Sequence, residues 1–326
     1  MHEIHNTFGI KAYASRYVEY DSCDQLRQIL PTLQGKPYLH IGGGSNLLFT
    51  RDYEGTVLHS RIKTMERVDE DDDYVWLRVG SGMVWDDFVD YTVEAGLSGA
   101  ENLSLIPGEV GASAVQNIGA YGVEAKDIIY KVECVNLKDG SPRTFTNEEC
   151  HYAYRSSIFK HKLKGQYAVT HVTYHLSRHF TPRLDYGNIK AKLEGEGNVT
   201  AKTVRNVIID IRKNKLPDPE VTGNAGSFFM NPIVSHDIFS QLKAEYPEMP
   251  YYDTDKGVKI PAGWLIEQCG WKGRAMGRAG VYEKQALVLV NLGGATGEEI
   301  LALCKAVIES VKEKFNIEIH PEVNII

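Results

Sequence analysis

The sequence lacks the features that mark membrane-spanning, exported and disulfide-bonded proteins. No stretch approaches the roughly 20 apolar residues that a bilayer-spanning helix needs. The first residues contain neither the basic segment nor the apolar core of an export signal. The five cysteines are scattered and include no Cys-x-x-Cys pair, so neither a disulfide framework nor a structural zinc site is indicated. We therefore expect reduced thiols, a cytoplasmic location and no metal.

The chain also lacks an excess of basic residues. Its 36 Lys and Arg against 43 Asp and Glu give a net charge of −7, and no long basic stripe offsets it. This balance argues against a nucleic-acid partner. A small anionic ligand needs only a few local cations, so net charge does not exclude one. We expect small-molecule partners, no nucleic acid, no membrane and a monomer.

The length, the apolar content and the pattern of predicted strands and helices indicate an α+β protein. The 326 residues, 43% of them apolar, suffice for two or three modest cores. Strands are predicted at Tyr74–Val79, at Lys131–Leu137 and Arg143–Phe145 around the turn Lys138-Asp139-Gly140, and at Tyr167–Leu176.

Helices are predicted between and after these strands. Trp85–Ala95 ends at Gly96, and Thr296–Glu299 is a capping box that opens a helix near the C-terminus. The two prolines of Lys215–Pro219 predict an extended connector and a domain boundary. Two helical faces are predicted to be buried: Val204, Val207, Ile208 and Ile211 in the first, and Ile300, Cys304, Val307, Ile308, Val311 and Phe315 in the second.

A first glycine-rich segment follows the predicted strand Pro37–Ile41. In Gly42-Gly43-Gly44-Ser45-Asn46, three glycines let backbone N–H groups approach an anion, and Ser45 and Asn46 add side-chain donors. For such a loop by itself, a tight turn between strands is the better interpretation. Neither the Rossmann nor the Walker spacing is present.

A second segment, Ile106–Gly122, concentrates small residues and amides. This composition predicts a weak helix former and a poor contributor to a core, so close passage of backbone past a ligand is the expected use. Two such segments together make a dinucleotide cleft more plausible than two coincidental turns.

In order and spacing, the motifs of the chain resemble those of the UDP-N-acetylenolpyruvoylglucosamine reductase family, which supplies bacterial cell-wall synthesis. The resemblance covers nearly the whole chain. It rests on Asn6–Gly9, Gly42–Asn46, Ile106–Gly122, Tyr154–Phe159, Lys215–Pro219, Gly223–Phe229, Ala262–Ile266 and Pro321–Val323.

The resemblance implies the two-subdomain FAD-binding fold of the vanillyl-alcohol oxidase and p-cresol methylhydroxylase type, with a C-terminal α+β substrate domain. The implied bounds are 1–63 and 64–216 for the two FAD subdomains and 217–317 for the substrate domain, with the tail 318–326 returning to the first. The loop Leu184–Asn188 resembles the subfamily in which a tyrosine loop closes over the substrate.

The implied ligands are non-covalent FAD and NADPH as co-substrate. The residues that match the cofactor contacts of the family are Gly42, Gly43, Gly44, Ser45, Asn46, Ile106, Pro107, Gly108, Ser113, Asn117, Gly119 and Tyr121.

The implied reaction is reduction of an enolpyruvyl UDP-sugar to UDP-N-acetylmuramate. Hydride from flavin N5 reaches the β-carbon, so negative charge builds on the substrate carboxylate and the α-carbon then needs a proton. Arg155 and Glu322 are implied to stabilise this charge, Glu322 as a donor if it is protonated or bonded to Arg155, and Ser227 to give the proton from a desolvated pocket. His320 departs from the acidic residue that relatives often place there.

The same matching implies substrate contacts. Lys215 and Lys259 are expected to bind the diphosphate. Tyr251 is matched to a tyrosine of the family, but Tyr252 adjoins it, so a shift of one residue in the match would exchange the two tyrosines. The contacts are Tyr186, Lys215, Asn231, Tyr251, Lys259 and Gln285.

Other interpretations stay open at the level of sequence. Considered without the resemblance, Arg155 is a surface arginine, Glu322 an exposed charge and Ser227 a turn serine. A flavin oxidase of the same fold would often tether its flavin through a histidine in the glycine loop, which has none, although His40 lies just before it. A non-catalytic nucleotide-binding protein would need the glycine segments but not the three catalytic candidates.

Overall fold

The computed structural model describes residues 1–195 and 197–326. It divides into two compact units. Unit 1 comprises Met1–His2, Ala14–Gly43 and Glu54–Arg212, and unit 2 comprises Glu3–Tyr13, Gly44–Tyr53 and Lys213–Ile326. The three-domain bounds stay a prediction. Among the described residues, no helix is both long and apolar enough to cross a membrane.

Most of a four-stranded sheet that carries the start of the first glycine segment belongs to unit 1. In spatial order its strands are His2–Glu3, Tyr13–Tyr20, Tyr53–Ser60 and Tyr38–Ile41. The strand Tyr38–Ile41, predicted as Pro37–Ile41, runs parallel to Tyr53–Ser60 and ends directly before Gly42. The helix Cys23–Ile29 buries Leu26 and Ile29 in a small core with Leu58.

Unit 1 also contains a five-stranded antiparallel sheet. Its order is Pro142–Thr146, Ile129–Asn136, Tyr167–Ser177, Tyr74–Gly80 and Met65–Glu70. The predicted hairpin and the predicted strands at 74–79 and 167–176 are confirmed. Alternation in Tyr74–Gly80 buries Val75, Leu77 and Val79 against the helix Trp85–Glu94, which ends before Gly96 as predicted.

The second glycine-rich segment differs from its prediction. Residues Val110–Gln116 form a helix, and Val110 and Ala114 are fully buried in the core of unit 1. The expectation of a poor contributor to the core was wrong, because Gly111 lets the helix lie against Ser81: a Cβ there would be 2.7 Å from that of Ser81. Tertiary packing therefore outweighs weak helix propensity. The further elements of unit 1 are Gly119–Ala120, Val123–Glu124, Ile189–Lys192 and Ala201–Lys215, whose last three residues belong to unit 2.

Both predicted helical faces are confirmed. Val204 and Ile208 of Ala201–Lys215 are buried, and Val207 and Ile211 pack beside them. In unit 2, Thr296 and Glu299 form the capping box of the helix Gly297–Phe315. That helix buries Ile300, Cys304, Val307, Val311 and Phe315, and Ile308 is partly buried.

The strands of unit 2 are short. They form two three-stranded sheets and one parallel pair, in which Asn324 lies opposite Leu47 and Ile325 opposite Leu48. Their bounds are Leu47–Leu48, Ile233–Val234, Tyr252–Thr254, Gly257–Lys259, Ala275–Met276, Ala279–Val281, Leu289–Asn291 and Asn324–Ile325, and the remaining helices are His236–Glu245 and Ala262–Gln268.

Candidate active site

The first glycine segment begins in unit 1 with Gly42 and Gly43. A Cβ at position 42 would lie 3.3 Å from Oε2 of Glu109 and 3.4 Å from the Cβ of Ala112. A side chain at this position would therefore fill the space that lets the backbone approach a ligand.

The segment continues in unit 2 with Gly44, Ser45 and Asn46. Gly44 has φ of +73°, and a Cβ there would overlap the carbonyl oxygen of His5, so this position requires glycine. The side-chain amide of Asn46 donates to the carbonyl oxygen of Glu322 at 3.4 Å. The structure thus connects a predicted cofactor residue with a predicted catalytic one.

The second glycine segment buries several predicted cofactor contacts. The Ser113 hydroxyl donates to the Val110 carbonyl at 2.7 Å and lies 2.9 Å from the hydroxyl of Tyr174. The Asn117 amide donates to Ala153 and Glu124, and its oxygen accepts from the Lys126 N–H. These two side chains therefore fix the backbone of the segment, and their contact with a cofactor stays a prediction.

The start of this segment joins the helix Trp85–Glu94. The N–H of Trp85 donates to the carbonyl of Gly108 at 3.0 Å. Gly108, with φ of +123°, follows Ile106 and Pro107 in the turn before the helix Val110–Gln116. The three predicted contacts at 106–108 therefore lie in one loop of unit 1.

Arg155 occupies a two-residue turn. The N–H groups and carbonyls of Ala153 and Ser156 bond reciprocally at 3.1 and 3.0 Å, and Arg155 between them has φ of +53°. Its Nη2 donates to the carbonyl of Gly119 at 2.5 Å, and Nη1 donates to that of Asn117 at 3.5 Å. The strained backbone and these bonds hold the guanidinium against the second glycine segment, and its catalytic role stays a prediction.

Arg212 is a candidate that the sequence analysis missed. Its side chain hydrogen-bonds Tyr121, and burial lowers its pKa. Tyr121 and the Asp86 carboxylate oppose this shift, and the positive charge of Arg155 adds a smaller lowering. Burial also raises the pKa of Tyr121. Two guanidinium groups within electrostatic reach of each other favour an anionic ligand. The signal was present in the sequence, because position 212 continues the buried face of Val204 and Ile208 at a spacing of four.

The tyrosine loop lies beside the second glycine segment. A Cβ at Gly122 would contact the Cβ of Tyr186 at 3.5 Å, and one at Gly187 would contact the ring of Tyr121 at 3.7 Å. The side chain of Tyr186 is exposed. Unit 1 therefore brings Tyr121, Tyr186 and Arg155 to one segment.

Ser227 and Glu322 are brought together in unit 2. The Glu322 N–H donates to the Phe228 carbonyl at 2.8 Å, and the Met230 N–H donates to that of His320 at 2.9 Å. This backbone pairing places Ser227 directly before Phe228, the residue whose carbonyl bonds the N–H of Glu322. Ser227 itself is exposed, while its neighbours Phe228 and Phe229 are buried. Among the described residues, none buries this hydroxyl, so the expected desolvated pocket is not seen around Ser227.

Asn231 and Gln285 lie at the same helix in unit 2. The Asn231 oxygen accepts from the N–H of Ala262, the first residue of Ala262–Gln268, at 2.9 Å. The Gln285 oxygen lies 3.1 Å from the Cβ position of Gly263. Lys215 is exposed at the C-terminal end of Ala201–Lys215.

The two neighbouring tyrosines face different groups. Lys259 lies opposite Tyr252 in the sheet, with its Nζ 5.3 Å from the centre of that ring. Tyr251 packs against Phe239 instead, with ring centres 4.6 Å apart, and Lys243 lies over it. Tyr252 is therefore the tyrosine on the side of Lys259.

Comparison with known proteins gives the family. Residues 14–146 match a profile described as an FAD binding domain, and residues 218–326 match the C-terminal domain of UDP-N-acetylenolpyruvoylglucosamine reductase. The reductase of that name from Bacteroides fragilis is 59% identical over 99% of this chain and 97% of its own, and that from Porphyromonas gingivalis is 49% identical over 98% and 96%.

The fold agrees with a solved structure. The UDP-N-acetylenolpyruvylglucosamine reductase of Thermus caldophilus superposes with a TM-score of 0.70 at 23% identity, covering 98% of this chain and 95% of its own. The predicted two-subdomain FAD-binding fold with a C-terminal domain is thereby confirmed. The chain belongs to the UDP-N-acetylenolpyruvoylglucosamine reductase family, and it is an FAD-dependent oxidoreductase.

Proposed function

We propose that the protein uses NADPH to reduce UDP-N-acetylenolpyruvoylglucosamine to UDP-N-acetylmuramate. The observation that carries this proposal is the similarity to reductases of that name over 97% of their own length, at 59% identity. A likeness that spans both the cofactor domain and the C-terminal domain supports one shared substrate. When bound, FAD takes hydride from NADPH and supplies it to the enolpyruvyl double bond.

The residues present fit FAD. Gly42 and Gly44 are positions that a side chain would fill, and the glycine backbone offers N–H groups to a diphosphate. We propose that Gly42–Asn46 and the segment from Ile106 to Tyr121 hold this cofactor.

Arg155 is proposed to bind the substrate carboxylate. A guanidinium stays charged and can grip a carboxylate through two parallel hydrogen bonds. The fixation of Arg155 on Gly119 supports this role, because preorganised donors stabilise developing charge without reorganising. Arg212 adds a second positive charge near it.

Ser227 is proposed to protonate the α-carbon, and Glu322 to support the carboxylate. The hydroxyl is a weak acid, so it suits only a strongly basic carbanion-like intermediate, which this reduction generates. The backbone pairing of residues 228–230 with 320–322 supports a common role, because it holds Ser227 and Glu322 on neighbouring segments.

The substrate contacts are proposed from the family match. In unit 1, Tyr186 contacts the sugar nucleotide. In unit 2, Lys215 and Lys259 serve the diphosphate, and Asn231 and Gln285 give amide contacts. Between the tyrosines, the position of Lys259 supports Tyr252, while the family match indicates Tyr251.

An anaerobic titration tests the function. NADPH should bleach the yellow holoprotein, and the enolpyruvyl UDP-sugar should restore the colour. UDP-N-acetylglucosamine, which lacks the enol ether, is the control and should leave the protein bleached. Return of colour only with oxygen, or flavin still attached after denaturation, would favour the oxidase instead. The nitrogen Nε2 of His40 lies 2.7 Å from the Tyr20 hydroxyl, so the structure gives no support to a histidine tether.

We further propose a cytoplasmic monomer without a nucleic-acid partner. All five cysteines are free of disulfides, as a reducing compartment requires, and the net charge is −7. Light scattering of the holoprotein at micromolar concentration should give a mass near 36.5 kDa. A mass twice that value would contradict the monomer.

A further inference from the structure

A cavity of about 120 Å³ lies in unit 1 beside the first glycine segment. Ile41, Ala112, Val115 and Val169 give it apolar walls, and His40 and Glu109 are among its polar lining residues. Burial lowers the pKa of His40 to about 4, so this ring is neutral at pH 7. The cavity therefore suits a small uncharged ring with one acidic neighbour, Glu109.

The Glu109 carboxylate is an unusual group in this position. Its side chain is only 9% exposed, and Nε2 of His59 lies 2.9 and 3.2 Å from its two oxygens. On the other side of the imidazole, Nδ1 lies 3.1 Å from the Tyr17 hydroxyl and 3.3 Å from Glu19. His59 thus fixes the orientation of the carboxylate.

The carboxylate has acceptor capacity left. Of the residues that the structure describes, only His59 donates to it, whereas two carboxylate oxygens offer about four acceptor sites. One His59 N–H, shared between the two oxygens, uses only part of this capacity, so a ligand with hydroxyl or amino groups could add further hydrogen bonds.

The position of the Glu109 carboxylate relative to Gly42 and Gly43 indicates which part of FAD it would contact. Oε2 lies 3.3 Å from the Cβ position of Gly42, and Oε1 lies 3.8 Å from that of Gly43. If these glycines bind the FAD diphosphate, as proposed above, the donors closest to the diphosphate are sugar hydroxyls. Of the two sugar units next to the diphosphate, the adenosine ribose is a compact ring and the ribityl group is an open chain. A compact cavity of about 120 Å³ favours the ring, and with it the adenosine side. Carboxylates recognise ribose hydroxyls in the same way in other dinucleotide sites.

We propose that Glu109, oriented by His59, accepts hydrogen bonds from the ribose hydroxyls of the adenosine half of FAD and thereby contributes to the selection of FAD over FMN. This inference rests on the proposed binding of FAD. Glu109 is then a specificity-determining residue for the cofactor, and His59 is a positioning residue.

The test measures flavin affinity of the apoprotein by fluorescence quenching. FAD is compared with 2′-deoxy-FAD and 3′-deoxy-FAD, which lack one hydroxyl each. The wild type should bind at least one deoxy analogue about 10–100-fold more weakly than FAD, as expected for a hydrogen bond to a charged group. Glu109→Gln should bind FAD more weakly by a similar factor and lose most of this discrimination.

The matched control is Glu101→Gln. Glu101 is another buried carboxylate of unit 1, but it accepts from Ser98 and Gly99 and does not line this cavity. Its variant should keep both the affinity and the discrimination. His59→Leu should lose discrimination although Glu109 is still present, and His59→Gln should recover part of it. Thermal unfolding of each apoprotein checks that the variants are folded.

The outcomes separate the inference from the function on which it rests. If the wild-type apoprotein does not take up FAD, the proposed function fails. If the wild-type apoprotein binds FAD and both deoxy analogues with the same affinity, only the proposed role of Glu109 is overturned. This comparison needs no variant. An equal loss of all three flavins in Glu109→Gln would indicate a purely structural carboxylate.

Discussion

Nη2 of Arg155 donates to the carbonyl oxygen of Gly119 at 2.5 Å, and Nη1 of the same guanidinium lies 2.7 Å from the place that a Cβ of residue 119 would take. The absence of a side chain at Gly119 is therefore what allows Arg155 its position. A predicted cofactor residue and a predicted catalytic residue depend on each other through this contact.

Gly119→Ala, once loaded with FAD, should slow the reaction of the substrate more than the reaction of NADPH. The added methyl group collides with Nη1 of Arg155 and with the carbonyl oxygen of Val123, 2.9 Å from its position. Displacing the Arg155 donor should slow reoxidation by the enolpyruvyl sugar about 10–10²-fold, somewhat less than removing it. Anaerobic stopped-flow measurement of the two half-reactions gives both rates. Arg155→Lys should slow the substrate half-reaction at least as much as Gly119→Ala. A guanidinium group can bond the Gly119 carbonyl and a carboxylate at the same time through its fixed set of N–H groups, whereas a single ammonium group cannot.

The control for this prediction is Gly197→Ala. Gly197 lies in unit 1, has no neighbour within 4 Å of its Cβ position and has no positive φ. Its variant should have both half-reactions at wild-type rates. An equally fast substrate reaction in Gly119→Ala would show that the position of Arg155 does not matter.

Ser227→Ala should keep the reduction of FAD by NADPH and lose its reoxidation by the substrate. General acid catalysis contributes typically ~10²–10⁴-fold, so single-turnover reoxidation should slow by that range. Ser240→Ala, which removes an exposed hydroxyl bonded to the His236 carbonyl in the same unit, is the control. A loss smaller than tenfold in Ser227→Ala would remove this hydroxyl from the acid role.

Sequence patterns sufficed for elements that are determined locally. The hairpin around Lys138-Asp139-Gly140 and the capping box of Thr296 and Glu299 follow from turn and cap chemistry within a few residues. The helix Val110–Gln116 was missed because its formation depends on packing against Ser81, about thirty residues away along the chain.

The candidate site shows the same limit. Motif matching found Arg155 and Gly119, but no local pattern could have shown that they touch across 36 positions. It also could not decide between Tyr251 and Tyr252, because a shift of one residue in a strand reverses the side of every side chain. The pairing of Tyr252 with Lys259 shows which tyrosine neighbours that lysine, and the choice of substrate contact stays a prediction.

Tyr252→Leu should weaken substrate binding more than Tyr251→Leu. Only Tyr252 lies beside Lys259, so its loss should raise the KM for the UDP-sugar about 5–30-fold, equivalent to one or two kcal/mol of contact energy. Tyr251→Leu removes a contact with Phe239 and should mainly lower stability. Steady-state kinetics and thermal unfolding of both variants measure the two effects. A larger increase in KM for Tyr251→Leu would instead favour Tyr251, the tyrosine indicated by the family match, as the substrate contact.

Glu133→Gln should lower the stability of the protein at neutral pH but not in acid. Nη2 of Arg78 lies 2.7 Å from Oε2 of Glu133, and both side chains are about a quarter exposed, at 25% and 23%. Burial raises the pKa of Glu133, but the hydrogen bond and charge of Arg78 outweigh burial and hold the pKa below its ordinary value of 4.5. A carboxyl group whose native pKa is lowered stabilises the fold above its unfolded pKa and loses that contribution as pH falls through the native pKa.

Urea unfolding at pH 7 should therefore show a loss of about 1–3 kcal/mol in Glu133→Gln, and the difference from the wild type should shrink steadily below pH 4.5. Glu66→Gln is the matched control, because Glu66 faces the same Arg78 at 3.6 Å but is 56% exposed. Exposed ion pairs contribute little, so this variant should change stability by less than about 0.5 kcal/mol at either pH. A destabilisation of Glu133→Gln that is equally large at pH 7 and at pH 3 would mean that packing of the side chain, and not its charge, stabilises the sheet.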